Sequence, residues 1–182
     1  MKEKIGLYIG RFQPFHKGHL SVVKEAMKQC DTLVIAVGSA QESRTKKNPF
    51  TFYERMAMIE RSCQIGTIIR SGKKVLIVPV RDREEYSDDS NWGQYVLDCV
   101  EKECGLRPTI NFEGGEECRS TWFDGIDIER VVIDRTNLPI SATMVRQALI
   151  DDRYEDYCSM VPAAMWLWYG ILSKIIILEV EQ

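Results

Sequence analysis

With 182 residues, 45% of them apolar and 28% charged, the chain has the size and composition of one globular domain with a core of its own. A net charge of −3 argues against a broad nucleic-acid-binding face but leaves room for a local phosphate pocket. Six cysteines (Cys30, Cys63, Cys99, Cys104, Cys118, Cys158) show neither a Cys-x-x-Cys pair nor a zinc spacing, and no secretory apolar stretch precedes Arg11, so reduced thiols and a cytoplasmic location are expected.

The run from Ile5 to Ile9 reads as a short buried strand, and Leu20, Val23, Met27 and Cys30 recur behind it at helical spacing. Between them, Gly10-Arg11-Phe12-Gln13-Pro14-Phe15-His16-Lys17-Gly18-His19 forms a strand-to-helix turn. Pro14 suits neither a central strand nor a helix interior and holds that turn open. Gly18 leaves space for a ligand or another backbone. The unpaired amides of the helix's first turn favour an anion in that space. Either histidine alone is compatible with a solvated side chain. Arg11, His16, Gly18 and His19 together read as a polyphosphate cradle. The histidine spacing is not the His-Glu-x-x-His zinc pattern and no third ligand stands out, so no protein metal site is assigned.

Thr32 to Ser39 reads as a second buried strand, completing a strand-helix-strand unit. Such a unit implies a parallel sheet with a right-handed crossover, its first turn at the carboxyl edge where open α/β sheets take ligands. No Gly-x-Gly-x-x-Gly is present, so the dinucleotide-binding fingerprint is absent. Residues 40–50 form a polar, basic loop in which Arg44, Lys46 and Lys47 are either a solvated run or phosphate contacts. Thr51 and Glu54 make a capping box for a helix with Phe52, Met56, Ile59 and Cys63 on one face, read as core without chemistry.

Lys74 to Val80 is the third strand, ending at Arg81-Asp82, and a polar loop leads to a helix from Asn91-Trp92 through Tyr95, Val96, Cys99 and Val100. Trp92 is either a core tryptophan or a flat face for a planar ring. Thr109 to Glu113 is the fourth strand, running into Gly114-Gly115, where a sugar or base could approach the backbone closely. Arg130 to Asp134 is the fifth. Ser141 then caps a helix that buries Val145, Ala148 and Leu149, with Arg146 on the side of Thr143 and able to clamp phosphate oxygens through two bonds. A short helix over 152–160 precedes an apolar tail from Ala163, interrupted by Gly170, Ser173 and Lys174. The tail falls short of the roughly 20 unbroken apolar residues of a membrane helix and is either a core helix or a subunit contact. With no repeat or linker, residues 1–182 read as one α/β domain, a Rossmann-like open parallel sheet of about five strands flanked by helices, with a helical tail from about residue 152.

His16-Lys17-Gly18-His19 matches the His-x-Gly-His signature of the nucleotidyltransferase superfamily of adenylyl- and cytidylyltransferases, and Ile140-Ser141-Ala142-Thr143-Met144-Val145-Arg146 resembles its Ile-Ser-x-Thr-x-x-Arg signature. The longer string from Gly10 to His19 is similar to nicotinamide mononucleotide (NMN) adenylyltransferases of the archaeal type and their bacterial relatives. So are Gly38-Ser39-Ala40-Gln41, Asn48-Pro49-Phe50-Thr51 and Glu54-Arg55. Pro79-Val80-Arg81-Asp82 followed by Asn91-Trp92 resembles the nicotinamide end of that family's site. The chain departs from the pattern at Gly115, where the family often has Asn, at Ala142, which leans toward bacterial relatives, and most of all in the tail.

The resemblance implies the HIGH-superfamily nucleotidyltransferase fold and a step of NAD biosynthesis, in which the phosphate of NMN attacks the α-phosphorus of ATP in line and NAD and pyrophosphate form. That nucleophile is already an anion, so catalysis would rest on positioning and charge stabilisation without a general base. It implies His16, His19, Arg11 and Arg146 as catalytic residues. Gly10, Phe12, Gly18, Gly114, Ile140, Ser141, Thr143 and Arg146 would hold ATP, and Asp82, Asn91, Trp92, Lys46 and Lys47 would hold NMN. Mg²⁺ would arrive on the ATP phosphates. The expected partners are these small molecules and further copies of the chain, with no nucleic acid and no membrane. The alternatives are the same chemistry on nicotinate mononucleotide, phosphopantetheine or a cytidylyl acceptor, and a non-catalytic nucleotide-binding sensor.

Overall fold

A computed structural model describes residues 3–64, 72–83, 91–114 and 121–180. Gly115, Cys118 and the loop before Asn91 lie outside them. Five strands form one parallel sheet: β1 (Ile5–Gly10), β2 (Thr32–Val37), β3 (Lys74–Pro79), β4 (Ile110–Gly114) and β5 (Glu129–Ile133). Their spatial order is β3-β2-β1-β4-β5. The chain thus builds outward from β1 in one direction and then returns to place β4 on its other side. The order reverses between β1 and β4, and a crevice opens there beyond the carboxyl ends of the strands.

The apolar runs explain the strands. Every residue of β2 is buried, as a central parallel strand covered on both faces requires. Alternation then divides the core. Leu33, Ile35 and Val37 face the larger cluster with Phe15, Val22 and Met58, while Val34 and Ala36 face the smaller one with Leu7, Val78 and Phe123. Helices α1 (Lys17–Gln29), α2 (Phe52–Cys63) and α4 (Ala142–Ile150) cover the first face, and α3 (Trp92–Cys104) covers the second through Val96, Leu97 and Val100.

Local signals set the helix ends. The expected capping box starts α2: Thr51 Oγ1 accepts the Glu54 N–H at 3.2 Å, and Glu54 Oε2 accepts the Thr51 N–H at 2.8 Å. Ser141 Oγ accepts the Met144 N–H at 3.2 Å to open α4, and Gly105 closes α3 with a left-handed φ of 72°. The buried face of α2 differs from the expected one. It carries Arg55, Met58, Ile59, Ser62 and Cys63, with Phe52 and Met56 only half-buried, because the Arg55 guanidinium is drawn inward to backbone carbonyls at the sheet edge.

The tail forms α5 (Tyr154–Met160), a 3₁₀ helix (Ala163–Trp168) and α6 (Tyr169–Val180). Met165, Leu172 and Ile176 join the larger core, and the Tyr157 hydroxyl donates to the Met165 carbonyl at 2.7 Å. One side of the tail is therefore a core element, while Leu167, Ile171 and Leu178 stay exposed on the other. Among the described residues no helix is long and apolar enough to cross a membrane. Cys30, Cys63, Cys99, Cys104 and Cys158 are free thiols.

Candidate active site

At the crevice, the turn after β1 builds one wall. Phe12 adopts a left-handed φ of 54°, which sends its ring into the core at 1% exposure. There it meets Tyr8 edge-on at 5.4 Å and His19 edge-on at 4.9 Å, so it supports His19 from beneath rather than lining the cavity. The buried Gln13 side chain bonds Phe50 twice, donating to its carbonyl and accepting from its N–H, each at 2.9 Å, which ties the turn to the loop before α2. His16 caps α1 in extended conformation, and its backbone N–H donates to Nδ1 of His19 at 3.3 Å. The two imidazoles stack with centroids 3.6 Å apart and planes 24° from parallel. With Nδ1 accepting, the proton of a neutral His19 sits on Nε2, its donor toward a ligand.

Gly18 is glycine because of what lies over it. A Cβ there would stand 2.7 Å from Nη1 of Arg135 and 3.0 Å from the His16 ring. Arg135 also donates from Nε to the Gly114 carbonyl at 2.8 Å, bridging the end of β4 to the first turn of α1. Arg135 is not in the set of residues expected from the sequence. Its signal was position, two residues past the carboxyl end of β5.

Burial, and then the Arg135 charge, push the His16 pKa down to about 3. Burial, His16 and Arg135 hold His19 well below its ordinary 6.5. Both imidazoles are therefore neutral donors at neutral pH. An unfolded histidine takes up its proton near pH 6.5, whereas folded His16 does so only near 3. The unfolded state thus binds more protons between those values, and stability that is complete above about pH 6.5 falls as the pH drops toward 3. Thermal melts between pH 7 and 4 should show a steeper loss for the native chain than for His16→Asn; parallel curves would show that His16 does not carry the effect.

Arg55, with no exposed surface, is a second residue outside the expected site set; from sequence it figures only in the Glu54-Arg55 resemblance. Its Nη1 donates to the carbonyls of Arg11 and Gly38, both at 2.8 Å, its Nη2 to that of Ser39 at 3.0 Å and its Nε to that of Thr51 at 3.2 Å. Ser39, like Phe12, is left-handed, with φ 46°. One guanidinium therefore pins the ends of β1 and β2 where the backbone is least relaxed. Burial lowers its pKa to about 10, which leaves it charged.

A cavity of about 650 Å³ opens between these walls and the α3 side of the sheet. It brings together Gly10, Arg11, His16, His19, Gly114, Ile140, Ser141, Asp82 and Trp92 of the expected set, and adds Arg135, Trp122 and Glu113. Trp122, unforeseen from sequence, meets Trp92 edge-on at 6.1 Å and 68°, forming an aromatic corner. Asp82 is held by Gln41, whose Nε2 donates to Oδ2 at 3.1 Å and whose Oε1 accepts the Asp82 N–H at 3.0 Å.

Other expected residues stand elsewhere. Arg146 is half-buried and is not among the residues lining the cavity; it donates to the Gln13 carbonyl at 2.6 Å and to Thr143 Oγ1 at 3.2 Å. Burial, and then Arg11, lower its pKa. Asn91 occupies the N-cap position of α3 and is exposed, and Lys46 and Lys47 are exposed on their loop; none of the three lines the cavity. Arg44 is committed to Glu54 at 2.5 Å.

Residues 7–148 match the sequence profile of the cytidylyltransferase-like family. The chain is 54% identical over 76 residues to a nicotinamide-nucleotide adenylyltransferase of Ignicoccus hospitalis, covering 42% of this chain and 43% of that one. It is 45% identical over 92 residues to one from Saccharolobus solfataricus, covering 50% of each. The match thus spans about half the length of these relatives. In three dimensions the chain is similar to a bifunctional NMN adenylyltransferase/ADP ribose pyrophosphatase from Francisella tularensis, with a TM-score of 0.75 at 23% identity over 99% of this chain and 52% of that one, which shows a shared fold.

Proposed function

The chain belongs to the cytidylyltransferase-like family, and from that premise we propose that it transfers AMP from ATP to NMN, giving NAD and pyrophosphate. The observation that carries the reading is one cavity joining the stacked, neutral His16–His19 pair with Arg11 and Arg135 at one end to the Trp92–Trp122 corner at the other. The first end suits a triphosphate and the second a flat heterocycle.

In this reading an oxygen of the NMN phosphate forms the new bond to the α-phosphorus while the bond to the pyrophosphate oxygen breaks on the opposite side. No proton need be abstracted. His16 and His19 donate to the phosphoryl oxygens as charge builds, and Arg135 and Arg11 hold the phosphates in line. Among the described residues no group of three or more His, Cys, Asp or Glu stands ready to cage a metal. Magnesium, as the counterion of the triphosphate, would supply charge neutralisation. A cytoplasmic location and self-association through the exposed side of the tail complete the reading.

Pyrophosphate release with ATP and Mg²⁺ is expected with NMN and absent with phosphopantetheine; release with phosphopantetheine alone would keep the histidine chemistry and remove the pyridine pocket. Trp92→Ala should raise KM for NMN about tenfold, as loss of one base-stacking ring does, and leave KM for ATP near its native value. Equal rises for both substrates would place Trp92 outside the mononucleotide's half of the cavity.

A further inference from the structure

The floor of the cavity on the tryptophan side holds two buried polar side chains that the mechanism above does not use. Asn111 is 1% exposed and Glu113 6%, and both line the cavity. Asn111 pairs in register with Leu7, and in a parallel sheet such neighbours share a face. Leu7 packs in the same cluster as Trp92 and Trp122, whereas Phe112, between the two, packs with Val22 on the opposite face. Asn111 and Glu113 therefore point to the aromatic corner and away from the histidines.

Three donors converge on a single oxygen of Glu113. Oε1 accepts from Arg130 Nη2 at 2.9 Å, from Arg130 Nε at 3.2 Å and from Asn111 Nδ2 at 3.0 Å. Arg130 is braced in turn by Asp124 at 2.6 Å. The arrangement leaves Glu113 Oε2 and Asn111 Oδ1 as acceptors with no partner. Buried acceptors without donors are rare because each forgoes the hydrogen bonds it would have in water. Two of them side by side call for a ligand that brings N–H groups.

We propose that Asn111 and Glu113 determine the choice of acceptor, with Glu113 Oε2 and Asn111 Oδ1 receiving the NH₂ group of the pyridine carboxamide, so that the amide mononucleotide is selected over the acid. The inference rests on the reading of this cavity as an NMN site. Both oxygens are buried just beneath the cavity surface, so contact with a ring seated against Trp92 requires a turn of each terminal group. The acid analogue has no donor there and sets a second carboxylate against Glu113, so it meets both an unfilled acceptor and like charge.

The test compares NMN with nicotinate mononucleotide in the native chain and in Glu113→Gln, which keeps an oxygen for Arg130 and puts an N–H donor where Oε2 stood. The native chain should favour NMN in kcat/KM by about a hundredfold, a discrimination within reach of one unmatched polar contact. Glu113→Gln should bring the ratio to within about tenfold of unity, chiefly by improving the acid. Unchanged ATP affinity confirms that the variant is folded. If it does not fold, quenching of tryptophan fluorescence by each mononucleotide in the native chain decides the same question by binding alone. Equal use of the two mononucleotides by the native chain, or a native ratio in the variant, overturns this inference and leaves adenylyl transfer standing. No turnover with either, while ATP binds, overturns the proposed function and this inference with it.

Discussion

Replacing His19 by alanine is expected to cut turnover by about a hundredfold or more, the scale on which a single oxyanion donor acts. The substitution removes the Nε2 donor, takes away the stacking partner of His16 at 3.6 Å and leaves the His16 N–H without its acceptor at 3.3 Å. ATP affinity should change far less, since Arg11 and Arg135 remain at the cavity. This contrast separates loss of transition-state stabilisation from loss of ground-state binding. Steady-state pyrophosphate release and equilibrium ATP titration of the same variant decide it. Near-native turnover would take the histidine pair out of the mechanism, and an equal loss in both measurements would make it a binding element only.

The second large effect belongs to Arg55, which does not itself line the cavity but holds three residues that do. Arg55→Met keeps much of the side-chain bulk but leaves the carbonyls of Arg11, Gly38, Ser39 and Thr51 without this donor in a buried site. Hydrogen bonds from a charged donor are each worth about 1.5–3 kcal/mol, so a loss of about 3 kcal/mol or more is expected even after local relaxation. For a chain of this size that corresponds to a melting temperature lower by about 6–12 °C. Arg55→Lys should recover less than half of it, because an ammonium cannot span the four carbonyls as a planar fork does. A melting temperature for Arg55→Met within about 2 °C of the native value would show that the ends of β1 and β2 hold their shape without the clamp.

These two residues differ in how visible they were. His19 belongs to a local string, Gly10 to His19, whose chemistry needs only a strand, a turn and a helix start, all within one contiguous segment. Arg55 follows a capping box that was equally plain, but its role depends on three carbonyls at the ends of β1 and β2, contributed by a different part of the chain. Periodicity along α2 favoured Phe52 and Met56 for the interior, since an arginine is normally kept out unless partners are waiting for it. Phe12 shows the converse. A place in the phosphate-binding string suggested a ligand contact, and a left-handed backbone turned its ring into the core.

What the sequence determined by itself was everything carried by short-range patterning: five strands near their observed limits, the caps at Thr51 and Ser141, and the turn with His16 and His19. Each depends on alternation, helical spacing or turn chemistry within a few residues. Only the tertiary structure decided that β4 lies beside β1 and β5 beyond it. That order sets Arg135 above Gly18, aims Asn111 and Glu113 at the tryptophan corner and opens the cavity between them. The physical reason is that strand neighbours are chosen by which faces bury together across long stretches of chain, a sum over many weak contacts that no local pattern encodes.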